Sequence, residues 1–448
     1  MKKRVAIIGA GPSGIAQLKA FEAARRAGAE IPEIVCYEKQ GDYGGLWNYT
    51  WRTGLDEHGE AVHSGMYRYL WSNGPKECLE FPDYSFEAHF GRPIPSYAPR
   101  AVLLDYLKGC IAASGIAGYI RLRHVVRGVS YDHATAKFTL HVTHLAEDRS
   151  EVEQFDDVVV ATGHYSTPNV PGFPGFDSFP GRILHSHDVR DVVEFAGQNV
   201  LLVGGSLSAE DIGMQCFKYG AASVTFSYRT RPMGFKWPEG FEEKPLLTEL
   251  SGRTAHFPDG TTREVDAVIL CTGYLHHFPF LSDALRLRAR NRLYPGGLYK
   301  GIVSTSHPKL FYLGMQDQFY TFTMFDAQAW YARDIMLGRI ALPDRAGMEA
   351  DIAAWTAREE ALTEVPDMID FQADYMGDLL AATDYPVFDL AATAETFKVW
   401  AQHRDADITT YRDHAHASAV TGTMAPRHPL PWLDARDDTL EAFVAAQA

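Results

Sequence analysis

Cysteine is scarce, and the five present (Cys36, Cys78, Cys110, Cys216, Cys271) are scattered without a C-x-x-C pair. An odd, dispersed set gives neither a disulfide framework nor a redox dithiol, and it fits a reducing cytoplasm. Basic charge is short as well: 42 Lys and Arg face 57 Asp and Glu, a formal net charge of −15. Nucleic acid is thereby disfavoured as a partner, because its phosphates need clustered Lys and Arg. No apolar run reaches the roughly 20 residues that span a bilayer. Behind Lys2-Lys3-Arg4 only Val5 to Ile8 precede glycine, too few for a signal peptide. Solenoid repeats and low-complexity segments are missing. So are a G-x-S-x-G elbow, an H-E-x-x-H pair and acids in a recognisable frame, which argues against hydrolysis. His185 and His187, His276-His277 and His414-x-His416 lack zinc or iron spacing, so ordinary hydrogen-bonded histidines are the better reading and no metal is expected.

What is present suits a globular enzyme, with 46% apolar and 22% charged residues. At 448 residues the chain exceeds what one core usually supports, so two domains or a heavily elaborated pair are expected. Two glycine-rich turns, Gly9-Ala10-Gly11-Pro12-Ser13-Gly14 and Gly204-Gly205-Ser206-Leu207-Ser208-Ala209, follow the apolar strands Val5 to Ile8 and Val200 to Val203. Helical patterns come next, from Ser13 to near Ala27 with Gly28 as the stop, and from Ser208 to Tyr219 with Gly220 as the cap. The strand Ile34 to Tyr37 then delivers Glu38, 24 residues after Gly14, and the strand Val224 to Tyr228 delivers Arg229, with Thr230 and Arg231 beside it. In a βαβ dinucleotide fold an acid at this place bonds a ribose 2′-hydroxyl, whereas an arginine accommodates a 2′-phosphate. Glycine permits the tight turn, and the helix N-terminus offers unpaired N–H groups to a pyrophosphate. Ser206 and Ala209 stand where glycines are usual in the second turn, Ala being an accepted variant at the third position. The two units therefore read as sites for FAD and for NADPH.

The expected fold class is α/β: two dinucleotide-binding, Rossmann-like domains, the NADP domain inserted in the FAD domain, with a helical C-terminal extension. Asp157 to Gly163 reads as a buried strand ending in a small-residue turn, and Pro168, Pro171 and Pro174 then crowd a linker. Ala267 to Gly273 mirrors that strand and returns the chain to the first domain. The boundaries are 1–169 for the first part of the FAD domain, 170–276 for the NADP domain, and 277–448 for the remainder. Residues 121–143 alternate like strands, and helices are expected over 324–338, 348–362 and 368–382. From 384 onward the pattern is less regular, an extension expected to wrap the first domain.

Two further stretches remain open on chemistry alone. Gly44-Gly45-Leu46-Trp47-Asn48 would suit packing along a flat ring system, or is a loop around a buried Trp. Tyr67 to Glu77 reads first as an aromatic strand closing in an Asn73-Gly74 turn, where Asn73 is a turn residue.

Phe179-Pro180-Gly181-Arg182-Ile183-Leu184-His185, between the two dinucleotide turns, resembles the F-x-G-x-x-x-H motif of the flavin-containing monooxygenases. Gly44 to Trp47, Asn73-Gly74-Pro75-Lys76-Glu77 and Cys271-Thr272-Gly273-Tyr274 extend the resemblance over nearly the whole chain. Met315 to Gln318 and Met324 to Tyr331 are similar to the C-terminal pattern of the branch that oxidises trimethylamine in bacteria. The resemblance implies a cycle in which NADPH reduces FAD, oxygen adds at the flavin C4a atom, and retained NADP+ shields the hydroperoxide until a soft nucleophile attacks it. The cofactor carries the hard chemistry, so no acid/base dyad is needed. Carried over by motif, Asn73 meets the reactive flavin edge. Ser13, Glu38, Gln40, Leu46, Trp47, His63, Val125, Gln318 and Thr321 line FAD beside Gly9, Gly11 and Gly14. Ser72, Gly204, Ser206, Leu207, Ser208, Arg229 and Thr230 meet NADP, with Arg412 closing over it. His185 is structural, fixing the linker. The resemblance also implies a homodimer.

Two positions depart from the family's pattern. Val189 stands where the identifying motif usually ends in an aromatic, and Leu207 where the bacterial branch usually has Tyr and more distant relatives often have Asn. Loss of a polar, planar group there would loosen NADP+ and release hydrogen peroxide. The leading expectation is NADPH- and O2-dependent N-oxygenation of small tertiary amines such as trimethylamine, with S-oxygenation of dimethyl sulfide second. Baeyer-Villiger oxidation of ketones and an NADPH oxidase-like or redox-sensing flavoprotein remain the alternatives.

Overall fold

In the computed structural model, which describes residues 2–446, each glycine turn rises from the C-terminal ends of parallel strands in a sheet of its own, the first sheet being mixed at one edge. Up to Val160 the chain forms β1 (Arg4–Ile8), α1 (Pro12–Arg26), β2 (Glu33–Glu38), α2 (Phe86–Phe90), α3 (Arg100–Ser114), β3 (Ile120–Leu122), β4 (His124–Asp132), β5 (Lys137–His144), β6 (Arg149–Phe155) and β7 (Asp157–Val160). The next stretch adds β8 (Arg182–His185), β9 (Asn199–Val203), α4 (Leu207–Lys218), β10 (Ser223–Tyr228), β11 (Phe241–Pro245), β12 (Glu249–Ser251), β13 (Thr254–His256), β14 (Thr262–Glu264) and β15 (Ala267–Leu270). Three short strands follow, β16 (Leu298–Tyr299), β17 (Val303–Ser304) and β18 (Leu310–Tyr312). The chain closes in α5 (Thr321–Met336), α6 (Arg345–Glu360), α7 (Val365–Leu380), α8 (Leu390–Ala406) and α9 (Leu440–Ala445).

The first sheet runs β16-β17-β18-β7-β1-β2-β3 and the second β11-β10-β9-β15-β8, so the second is inserted between β7 and β16 of the first. In each, the strand before the glycine turn lies where strand order reverses: β1 pairs β2 on one side and β7 on the other, and β9 pairs β10 and β15. Such a switch point opens a crevice beyond the strand ends. β1 alternates its faces, Val5 and Ile7 packing with Leu18 and Phe21 of α1, Ala6 and Ile8 with Leu140 and Val142 of the antiparallel sheet β4-β5-β6. Both faces are therefore covered, which suits a near-continuous apolar strand. α1 also lies along α5, where the Gln17 amide donates to Ala329 O at 3.2 Å and Lys19 pairs with Asp326 at 3.3 Å.

Helices α5, α6 and α7 each begin and end a few residues before the expected positions, since each opens with residues ahead of the first apolar one counted in the sequence. The Asp344 side chain accepts from Gly347 N at the start of α6, and α7 carries a proline in its opening turn. The expectation of irregular chain after 384 is corrected: α8 runs for 17 residues from an Asp389 cap. The extension also does more than wrap the first unit. Val444 O accepts from Arg92 at 2.5 Å and Phe443 packs on Trp71, while Ala435 O accepts from Lys218 of α4 at 2.6 Å. All five cysteines are buried and free. Among the described residues no helix is long and apolar enough to cross a membrane.

A methyl group at Gly14 would lie 1.9 Å from the Gly9 carbonyl oxygen, so any side chain there pushes α1 off β1. Gly14→Ala is expected to cost about 1–3 kcal/mol, read as a lower denaturant midpoint. Gly118→Ala, which meets nothing within 4 Å, is expected to leave the midpoint nearly unchanged.

Candidate active site

A cleft of about 620 Å³ opens beyond the C-terminal edge of the first sheet. Of the residues expected on the FAD side, Gly9, Gly11, Ser13, Glu38, Gln40, Leu46, Trp47, His63, Val125, Gln318 and Thr321 all line it. Gly14 does not; it lies behind the turn, where only a hydrogen fits against Gly9. Gly9 holds φ +104°, and a Cβ on Gly45 would come within 2.8 Å of Gly11 Cα, so two backbones form one wall.

The first turn of α1 has a Gly11 N-cap without a side-chain partner, leaving its N–H groups open toward the cleft. The Glu38 carboxylate accepts from Ala10 N at 2.7 Å and from Gln40 N at 2.8 Å. Burial raises this carboxyl above its usual range, against the two N–H groups that favour its charged form. Gln40 fixes the Gly44-Gly45 loop by donating to Gly45 O at 3.1 Å. Trp47 meets Phe322 edge-on, and burial pushes His63 down to about 4. Thr162 Oγ1, Gln318 Oε1 and Thr321 Oγ1 are buried on the cleft wall without a protein partner. Open helix N–H groups, a two-backbone wall, a buried acid at the end of β2 and three orphaned polar atoms suit a large, polar, flat-ringed dinucleotide, and FAD is such a group.

The second turn is more open. Gly205 to Ser208 are exposed, and α4 starts behind a Ser206 N-cap that makes no side-chain hydrogen bond. A Cβ on Gly205 would lie 3.3 Å from Tyr228 and 3.8 Å from Arg231 O, which brings the segment with exposed Arg229 and Thr230 beside the turn. Gly204, Ser206, Leu207, Ser208, Arg229 and Thr230 thus gather at one place that suits a phosphorylated nicotinamide dinucleotide.

Ser72, Asn73 and Arg412 stand apart from both turns. Ser72 is buried and its hydroxyl donates to Gly74 O at 2.5 Å, while partly exposed Asn73 receives the Trp400 indole N–H on its carbonyl at 2.7 Å. Arg412, expected to close over NADP, is nearly sealed: Nε donates to Ser72 O at 3.2 Å and its guanidinium pairs with Asp211. Leu207 and Asp211 share a face of α4, one turn apart. That face is the one tied back to Ser72. His185 bonds Gly273 O at 3.1 Å and accepts from His187 N at 3.0 Å, joining the end of β8 to the turn after β15. Val189 is fully buried in the core of the second unit.

Several cleft residues went unnamed in the sequence reading, among them Lys39, Arg127, Thr162, His164 and Phe322. Thr162 was accessible from sequence, since it follows a buried strand into a small-residue turn. Lys39 and His164 come from the segments after β2 and β7, Arg127 from β4 and Phe322 from α5, and tertiary folding brings them together. Burial holds His164 down to about 4, and its ring bonds Gly314 O and Asn291.

The Flavin-binding monooxygenase-like family matches residues 2–234 and 240–384. The chain is 62% identical over 440 residues to trimethylamine monooxygenase of Methylocella silvestris, covering 98% of each. It is 59% identical over 443 residues to trimethylamine monooxygenase of a Roseovarius species, covering 99% of each. The crystal structure of Tmm from Pelagibacter sp. strain HTCC7211 superposes with a TM-score of 0.96 at 51% identity, covering 98% of this chain and all of that one. S-allyl-L-cysteine S-oxygenase from Allium sativum follows at 0.79 and 27%, over 92% of this chain and 95% of that one. The chain belongs to the flavin-binding monooxygenase-like family. It is a flavin monooxygenase that works with FAD and NADPH.

Glu38 faces two N–H donors, and an amide in its place would turn one NH2 against one of them. Glu38→Gln is expected to weaken FAD retention on the order of tenfold, measured as the FAD-to-protein ratio after gel filtration at graded free flavin.

Proposed function

We propose that the protein converts small tertiary amines to N-oxides, with trimethylamine the first substrate and S-oxygenation of dimethyl sulfide a slower side reaction. Amine, O2, NADPH and a proton give amine N-oxide, water and NADP+. The observation that carries this reading is the near-complete likeness to trimethylamine monooxygenases, 62% identical in one case over 98% of both chains.

When bound, FAD would supply the redox chemistry, hydride acceptance from NADPH and activation of O2 toward a soft nucleophile. The remaining work falls to the chain. Residues 1–169 and 277–448 are assigned to FAD and residues 170–276 to NADPH. The open N–H groups of α1 and α4 would each take a pyrophosphate. Glu38 would hold the FAD ribose, and Arg229 with Thr230 the 2′-phosphate. Gln318, Thr321 and Thr162 would supply hydrogen bonds along the flavin, and Trp47 with Phe322 would close the ring's apolar side and exclude water. Asn73 is assigned to orient the nicotinamide or the reacting oxygen with its amide. Its backbone carbonyl is already taken by Trp400, which leaves its side-chain amide for that task.

Leu207 is the first residue of α4 and is 38% exposed. A leucine there can shield but cannot hydrogen-bond, so NADP+ is held less firmly and part of the reducing power escapes as hydrogen peroxide.

Trimethylamine is expected to accelerate NADPH oxidation and to yield its N-oxide by mass spectrometry, while cyclohexanone yields no lactone. Lactone formation without N-oxide would overturn the assignment. Leu207→Tyr is expected to lower hydrogen peroxide per NADPH consumed at saturating trimethylamine by about threefold or more; tight coupling in the parent protein would refute the role given to Leu207.

A further inference from the structure

The Asn73 turn and the start of α4, which carry part of the proposed chemistry, are joined by a third element. Ser72 and Asn73 give their carbonyls to the C-terminal segment, Ser72 O to Arg412 Nε at 3.2 Å and Asn73 O to Trp400 Nε1 at 2.7 Å. Glu210 and Asp211, in the first helical turns of α4, give their carboxylates to the same segment. Glu210 accepts from Arg404 Nε at 3.2 Å and pairs with its terminal nitrogen, and Asp211 pairs with Arg412. The Arg404 guanidinium lies 4.4 Å over the Trp400 ring and 5.2 Å from the ring of Phe235, on the loop that follows Arg229. Two parallel relays result. One runs Ser72–Arg412–Asp211 and the other Asn73–Trp400–Arg404–Glu210.

Buried ion pairs are often no better for stability than apolar pairs of the same volume, so packing alone does not account for two of them side by side. Their location supplies a reason. Carboxylates near a helix N-terminus interact favourably with its dipole, and they repel an anion that comes to the same end. Glu210 and Asp211 are 3% and 7% exposed, one turn from the open N–H groups of α4. Unpaired, they would set two poorly screened negative charges beside a pyrophosphate. Each has an arginine instead, and each arginine reaches on, directly or through Trp400, to the backbone of the Asn73 turn.

We infer that Arg404 and Arg412 are positioning residues of the oxygenation reaction: they neutralise the acids of the first α4 turns so that NADP(H) can bind, and they fix that helix end against the Asn73 turn. The fork of a guanidinium suits both tasks, since it bonds a carboxylate while stacking on an aromatic ring or bonding a carbonyl. This inference rests on the assignment of NADPH to the second turn. It does not depend on which amine is oxidised.

The test uses the purified holoenzyme with Arg404→Gln, Arg412→Gln and the neutral double variant Arg404→Gln/Glu210→Gln. NADP+ affinity is read from the perturbation of the flavin absorption band, which needs no amine, together with FAD content and hydrogen peroxide per NADPH. Each single variant is expected to keep its FAD, bind NADP+ on the order of tenfold more weakly, and release more peroxide. The double variant, with no unpaired carboxylate, is expected to regain most of the affinity and little of the coupling. Singles with parent-like affinity and peroxide yield would overturn the proposal, as would FAD lost in step with NADP+. Should the glutamine variants not fold, Arg404→Lys and Arg412→Lys keep the charge and give up the fork; about threefold weaker NADP+ binding supports the proposal, and parent-like values overturn it. Failure of trimethylamine as substrate would leave these binding readouts unchanged.

Discussion

Two helix N-termini that lack a side-chain cap stand at the ends of the two glycine turns, and the rest of the structure is arranged around them. α1 opens behind Gly11 and α4 behind Ser206, and neither cap residue lends a side chain to the first turn. The orphan N–H groups need an acceptor, and the surrounding structure shapes what that acceptor can be. At α1 the turn is pressed against the end of β7, where the Ala161 carbonyl leaves no room for a Cβ on Gly9. The Glu38 carboxylate accepts from Ala10 N and Gln40 N, so the acid is held in place at the cleft by the backbone itself. At α4 the turn stays exposed, which suits a carrier that must bind and leave in every cycle.

The rest of the molecule holds these two ends in relation to each other. The sheets carry them on strands buried on both faces, and β8 and β15 lie side by side where the chain crosses between units. The C-terminal segment then stitches across: α8 and the stretch after it touch the Asn73 turn, α4 and the loop beyond Arg229. A chemistry carried by cofactors asks the protein mainly for geometry and dryness, and most of the long-range polar contacts described here serve that geometry.

How much of this could be read from sequence follows from the range of the interactions. The β1–turn–α1–β2 unit is local, and strand pattern, glycine spacing, helix pattern and the acid at Glu38 all agree, so nearly every residue expected at the first cleft lies on its wall. Gly14 lies off the cleft wall, and a glycine needed for helix–strand approach looks the same in sequence as one that faces a ligand. α3 was not anticipated, although Val102, Leu103, Tyr106, Leu107, Cys110 and Ile111 recur at helical spacing ahead of Gly115. α8 is harder, since Thr393, Ala394 and Ala401 dilute the stripe made by Phe397 and Trp400. The pairing of Arg404 with Glu210 and of Arg412 with Asp211 joins residues about two hundred positions apart, and no local rule selects them. The expectation that Arg412 closes over NADP likewise cannot include its pairing with Asp211 and Ser72, which sequence does not show.

The central claim is that one chain holds a flavin in the first cleft and takes electrons from a phosphorylated nicotinamide at the second turn. Anaerobic mixing of the purified protein with NADPH or with NADH, followed through the visible flavin band, tests it most directly. The account predicts yellow protein with one FAD per chain, bleached by NADPH and needing at least about tenfold more NADH for the same rate. Colourless protein that cannot take up flavin, or equal use of the two carriers, would contradict it.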